Sequence, residues 1–182
     1  QAEASQKRIN EFLGQEPEIV NLKVGKKLQS YSIEFDNVSF SYDNSREEAL
    51  NKVSFQLEAG KTLAILGRTG CGKTTLLQLI TRMYDVSSGA VKVGDIDVRE
   101  LDLKILRGHI GVVPQEAFLF SDTVENNIRF GKADTTKAEV ENAAKQAAVH
   151  NSIMNFSKGY QTIIGERGVS LSGGQKQRMS IA

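Results

Sequence analysis

Eight consecutive residues, Gly67-Arg68-Thr69-Gly70-Cys71-Gly72-Lys73-Thr74, carry the spacing GxxxxGK[ST], with a second threonine, Thr75, directly after them. The residue types suit one chemical task. Phosphate oxygens need several hydrogen-bond donors at once, and backbone N–H groups converge on them only where side chains leave room, hence glycine. The run lies between an apolar stretch and a helical one. The helix that follows begins at the loop, so its unpaired N–H groups and the positive end of its dipole face the anion. Lys73 adds a point charge for the β- and γ-phosphates, and the Thr74 hydroxyl is suited to ligating Mg²⁺. The motif alone does not separate an ATPase from a GTPase or a kinase.

A second run, Leu171-Ser172-Gly173-Gly174-Gln175, reads as another helix start. Ser172 can cap, Gln175 three residues on completes a capping box, and two glycines bare the backbone. The chain thus holds two helix N-termini built to meet an anion.

The elements that would position these runs follow from periodicity. Ala2 to Leu13 reads as a helix with Ile9, Phe12 and Leu13 along one side, ended by Gly14 and Pro17. From Tyr31 the pattern alternates through Ile33, Phe35, Val38 and Phe40, a strand, and a second follows the turn-prone Asp43-Asn44-Ser45 at Val53 to Leu57. Thr62 to Leu66 is an unbroken apolar run, expected as a strand buried on both faces, and Ile110 to Val113 reads likewise. Ala90 to Val93 and Ile96 to Val98 flank Gly94-Asp95 as a hairpin. Helices are expected over Lys73 to Met83, Thr123 to Ile128, Thr136 to Val149 with a Thr136/Glu139 capping box, and Asn151 to Phe156.

Together these residues resemble the ABC (ATP-binding cassette) ATPase family, exporter type, whose signature is LSGGQ; the resemblance runs from about Tyr31 to Ala182. It implies an α/β P-loop NTPase fold of the ABC ATPase type, with an N-terminal antiparallel β region, a helical subdomain and a sheet left incomplete in this chain. It also implies the role of Tyr42 as the aromatic residue that stacks on adenine, and of Gln115 as the Q-loop glutamine at the Mg²⁺ site. Gly165-Glu166-Arg167-Gly168 resembles a short loop of exporters. Nucleotide contacts are expected from Tyr42, Gly67, Arg68, Thr69, Gly70, Cys71, Gly72, Lys73, Thr74, Thr75, Gln115, Ser172, Gly173, Gly174 and Gln175. The resemblance implies Lys73 and Gln115 for catalysis, and Thr74 and Gln115 for the metal. The family's catalytic glutamate and switch histidine follow the signature helix, after Ala182, so residues 1–182 alone are expected to be inactive.

The domain expectations are a connector helix and linker over 1–28, an ATP-binding β and P-loop lobe over 29–114, a Q-loop and helical subdomain over 115–171, and the start of the signature helix over 172–182. The connector resembles the segment that joins a last membrane helix to the cassette, and the absence of an initiator Met fits a cut from something longer. Ser172 and Gly174 of one subunit would face the phosphate held by Lys73 of another in a head-to-tail pair, with the transmembrane domain of the same transporter as second partner. The location implied is the cytoplasmic face of the plasma (inner) membrane, as part of a membrane protein.

Bulk properties agree and exclude. With 23 basic and 22 acidic residues the formal charge is +1, which lacks the basic excess of a nucleic-acid binder; Lys23, Lys26 and Lys27 read as a solvated loop. That speaks against the alternative of a soluble ABC ATPase acting on nucleic acid or ribosomes, which would also bring long coiled coils or basic arms. Intact Lys73 and Gln115 speak against a purely regulatory module. No run approaches the roughly 18–20 apolar residues of a membrane span, so the piece itself reads as soluble. A single cysteine, Cys71, rules out an internal disulfide. His109 and His150 read as structural, and Asp95, Asp97, Glu47 and Glu48 as solvated turn residues without metal-cluster spacing.

Overall fold

The computed structural model describes residues 2–21, 26–42, 47–132, 134–165 and 170–182. Lys23, the turn Asp43-Asn44-Ser45 and Glu166-Arg167-Gly168 lie outside the described residues. The chain forms two compact units, residues 1–111 and 112–182.

The first unit opens with α1 (Ala2–Leu13), whose Ile9, Phe12 and Leu13 are all exposed. A four-stranded antiparallel sheet follows, built from β1 (Ile33–Phe40), β2 (Leu50–Leu57), β3 (Ser88–Val93) and β4 (Ile96–Asp97) in the order β2-β1-β3-β4. Phe35 of β1 stands opposite Phe55 on one side and Val91 on the other, and the two phenyl rings stack 4.6 Å apart. Asn37, in the left-handed region at φ 49°, shifts the register after Phe35, and its N–H donates to Ser54 Oγ at 2.9 Å. Gly94 and Asp95 both have positive φ, as a two-residue type I′ hairpin requires.

The sheet packs against α2 (Lys73–Ile80) and α3 (Leu103–Gly108). Phe35, Val38, Leu79, Val91, Leu101 and Leu106 are essentially inaccessible and form the core. α2 ends earlier than the predicted Met83, because the Thr81 hydroxyl turns back to the Leu77 carbonyl at 3.0 Å and Arg82 adopts φ 49°. The Arg107 guanidinium then donates to the Thr81 and Arg82 carbonyls, at 3.0 and 2.8 Å. The short α3, capped by Asp102, spans six residues, less than two turns, too short for a helical period to show.

Two expected strands do not form. Thr62 to Leu66 and Ile110 to Val113 carry no strand pairing among the described residues, and Leu66, Val112 and Val113 are exposed. A parallel strand exists only through neighbours that satisfy its backbone groups, and none of the described strands pairs with either segment.

The second unit is helical: α4 (Val124–Arg129), α5 (Lys137–Gln146), α6 (His150–Met154) and α7 (Gly173–Ile181). Thr123 caps α4, and the Thr136/Glu139 capping box at α5 forms as read from the sequence. Val124, Ala144, Val149, Ile153, Ile164, Leu171 and Met179 make its core. The buried Glu125 is held by Arg129 and by the Gln161 amide, each at 2.6 Å, so the charge is not left unpaired. No helix among the described residues is long and apolar enough to cross a membrane.

Candidate functional site

The phosphate-loop residues lie in the first unit. Gly70 and Gly72 take φ of +83° and +86°, so successive N–H groups turn to one side of the chain. At Gly72 a side chain is excluded twice over: a Cβ there would sit 2.6 Å from the Ala49 carbonyl oxygen and 2.8 Å from Leu50. The first turn of α2 has no side-chain cap and no acidic residue, leaving its N–H groups and dipole uncompensated. The Lys73 ammonium bends back over the loop, donating to the Gly67 carbonyl at 2.9 Å and the Arg68 carbonyl at 2.6 Å, with Cys71 Sγ at 3.6 Å. Gly67, Arg68, Thr69, Cys71 and Thr74 are exposed, whereas Thr75 is buried beneath them.

Tyr42, which resembles the adenine-stacking residue, ends beside this loop. Its ring meets Phe40 and Tyr84 edge to face, at 4.8 and 5.4 Å, and its hydroxyl reaches Thr75 Oγ1 at 2.9 Å and Gln78 Oε1 at 2.7 Å. Sequence reading missed Gln78. The one signal was its place three residues after Thr75, on the same helical face.

Gln115 and the second glycine-rich run lie in the second unit, where the chain brings them together. The Gln177 side-chain amide donates to the Gln115 backbone carbonyl at 3.3 Å. Gln115, Glu116, Ala117, Gly173, Lys176 and Gln177 line an open hollow of about 500 Å³. Leu171 is buried in the helical core and anchors the start of α7. Ser172 and Gln175 form the capping box.

Gly173 and Gly174 differ in kind from Gly72. A Cβ at Gly173 would meet nothing within 4 Å, and one at Gly174 would meet only the Arg178 guanidinium at 3.5 Å; neither residue has a positive φ. Glycine in a helix costs up to about 1 kcal/mol relative to alanine. The described chain gives no steric reason for glycine at either position.

Other residues settle into structural places. His109 Nδ1 contacts the Ile105 carbonyl oxygen and His150 Nδ1 the Tyr160 hydroxyl, and burial raises the Tyr160 pKa. Lys26 pairs with Glu100. Asp97, read as a solvated turn residue, is instead half-buried in β4. Burial opposes its charge, but hydrogen bonds from Arg99 outweigh that and hold its pKa below the usual range. Among the described residues no cluster of His, Cys, Asp or Glu could hold a metal. A cation at the phosphate loop would rest on a hydroxyl such as that of Thr74 and on phosphate oxygens, a donor set suited to Mg²⁺.

The relatives are consistent with one another. The chain is 47% identical over 174 residues to human ATP-binding cassette sub-family B member 6, covering 94% of this chain and 20% of that protein. It is 49% identical over 150 residues to the putative multidrug export ATP-binding/permease protein YgaD of Bacillus subtilis, covering 82% of this chain and 26% of that protein. To the mitochondrial iron-sulfur clusters transporter ATM1 of Gibberella zeae it is 50% identical over 150 residues, 82% of this chain and 21% of that one. The chain thus spans about a fifth to a quarter of these proteins. A bacterial Atm1-family ABC exporter solved with ATP bound superposes with a TM-score of 0.89 at 36% identity, over 97% of this chain and 31% of that one. Residues 50–182 match the family described as ABC transporter. The chain belongs to the ABC transporter family, as an ATP-binding domain of the Atm1 and subfamily-B exporter kind.

Proposed function

We propose that this domain binds Mg-ATP on Gly67–Thr75, with the Tyr42 ring against adenine, and that in the whole protein ATP turnover drives export across a membrane. The observation that carries this reading is the uncapped, acid-free start of α2, with the Lys73 ammonium folded over the same loop. An arriving phosphate would replace two neutral carbonyls with charged oxygens, and hydrogen bonds to charged groups are the stronger ones. The Thr74 hydroxyl would hold Mg²⁺, which would supply charge neutralisation at the phosphates, and the family resemblance gives Gln115 as a further ligand.

The bare N–H groups of Gly173 and Gly174, with the Ser172 hydroxyl, would supply the second half of the site from another copy in a head-to-tail pair. Support comes from their geometry: these glycines serve no packing need within the described chain. ATP would then hold the pair together, and loss of its γ-phosphate would release it. Gln115, tied to α7 through Gln177, would relay that change to a membrane domain, with residues 1–28 as the connector. We place the domain at the cytoplasmic face of the plasma (inner) membrane. YgaD, a bacterial ATP-binding/permease protein, supports that placement, while ATM1 is mitochondrial. The resemblance puts the catalytic carboxylate after the signature helix, so residues 1–182 would bind without turnover.

The test is equilibrium binding of a fluorescent ATP analogue with Mg²⁺ to the full chain and to Lys73→Ala. Removing the charge should weaken binding by tenfold or more, the usual range for a lost charged hydrogen bond. Undiminished affinity in Lys73→Ala refutes the reading.

A further inference from the structure

The phenol of Tyr42 does more than hold a ring in place. It joins two side chains of the phosphate-loop helix, Thr75 Oγ1 at 2.9 Å and Gln78 Oε1 at 2.7 Å. Thr75 and Gln78 are three apart on α2 and so share one face. Thr75 is 4% exposed and directly follows Thr74 at the start of α2. The Phe40 and Tyr84 rings, edge to face on Tyr42, limit how far the phenol can move away.

Counting protons gives this trio a direction. A phenol has one proton to donate, and a glutamine carbonyl oxygen can only accept. With Gln78 Oε1 toward Tyr42, the phenol proton goes to Gln78. The contact to Thr75 then needs the threonine's own proton, and Thr75 has only lone pairs left to offer elsewhere. An amide turned by 180° keeps nearly the same shape and reverses the chain. Gln78 Nε2 then donates to the phenol oxygen, the phenol donates to Thr75, and the Thr75 proton is free for an outside acceptor. Apart from the exchanged amide oxygen and nitrogen, the heavy atoms stay where they are, and the hydrogen order reverses.

We infer that Gln78 is a positioning residue which, acting through Tyr42, sets whether Thr75 is a donor or an acceptor toward nucleotide phosphate. The inference rests on the reading of Gly67–Thr75 as the nucleotide site. Phosphate oxygens accept only, so binding selects the order in which Gln78 donates. Glutamine is the residue required at 78, because its two ends serve both orders.

The decisive variants are Gln78→Glu and Tyr42→Phe/Gln78→Glu in the full chain, with Mg-ATP affinity as the readout. Glutamate is isosteric with glutamine and position 78 is half-buried, so the helix accommodates it. Ionised, it accepts only, locks the phenol proton and commits Thr75, and affinity should fall about tenfold. A new negative charge near the phosphates would also weaken binding, and the double variant separates the two causes. Phenylalanine removes the proton chain and leaves the charge. A smaller loss from Gln78→Glu in the Tyr42→Phe background than in the parent supports the inference, the remaining loss being that of the charge. Unaltered affinity in Gln78→Glu, or an equal loss in both backgrounds, overturns it. Either result, with Lys73→Ala still binding-deficient, leaves the nucleotide site standing; retained binding in Lys73→Ala removes the site itself.

Discussion

Ser172 and Gln175 hold one another at the start of α7: the serine hydroxyl accepts the Gln175 N–H at 3.3 Å, and the Gln175 side-chain carbonyl accepts the Ser172 N–H at 3.0 Å. The box engages the glutamine oxygen and leaves the serine proton free to donate. Ser172→Ala should destabilise α7 by about 1 kcal/mol, the usual cost of a lost cap. Hydrogen exchange of the Lys176–Ile181 amides checks this. Gln175→Glu, which preserves the reciprocal bond, should leave their protection unchanged.

Alanine should act in opposite directions at the two kinds of glycine. At Gly173 it meets open space and relieves the helical penalty, so the folded state gains up to about 1 kcal/mol while ATP-dependent pairing weakens. At Gly72 it collides with the Ala49 carbonyl in a backbone conformation that alanine disfavours, so both stability and nucleotide binding fall. Chemical denaturation together with sedimentation in Mg-ATP distinguishes the two. Destabilisation by Gly173→Ala would contradict the account of that residue.

Cys71 is exposed, with its sulfur 3.6 Å from the Lys73 ammonium. An alkyl group on that sulfur occupies the space a phosphate needs. Treatment with a maleimide should abolish Mg-ATP binding, and saturating Mg-ATP should slow the labelling. Labelling rates that ignore ATP would show that the thiol lies off the site.

Acid should weaken the helical unit partly through Glu139. The Thr136 backbone N–H, the Thr136 hydroxyl and Lys132 lower its pKa from 4.5 to about 2. A depressed pKa means that the ionised form favours the fold. That contribution is complete above pH 4.5 and is lost as the pH falls through about 2. Glu139→Gln keeps the cap without the titration. Its stability, followed by circular dichroism, should therefore depend less steeply on pH across that window.

The parts that could be read from the sequence are those whose cause is local. A capping box needs two residues three apart, and both the Thr136/Glu139 and Ser172/Gln175 boxes formed. The Gly94-Asp95 turn needs only its own backbone. Thr62 to Leu66 and Ile110 to Val113 failed as strands because pairing is not local; an apolar run states a demand for neighbours without supplying them. The contacts Tyr42–Gln78 and Gln115–Gln177 join residues 36 and 62 positions apart, and no spacing rule reaches that far.

Arg107 seats its guanidinium on the carbonyls of Thr81 and Arg82, just past the last turn of α2. A cation at that end balances the helix dipole whether or not an anion sits at the other. The far end of α2 is therefore electrostatically settled within the fold, and the uncompensated pole of the helix lies at its first turn, beside Lys73, Thr74 and Thr75.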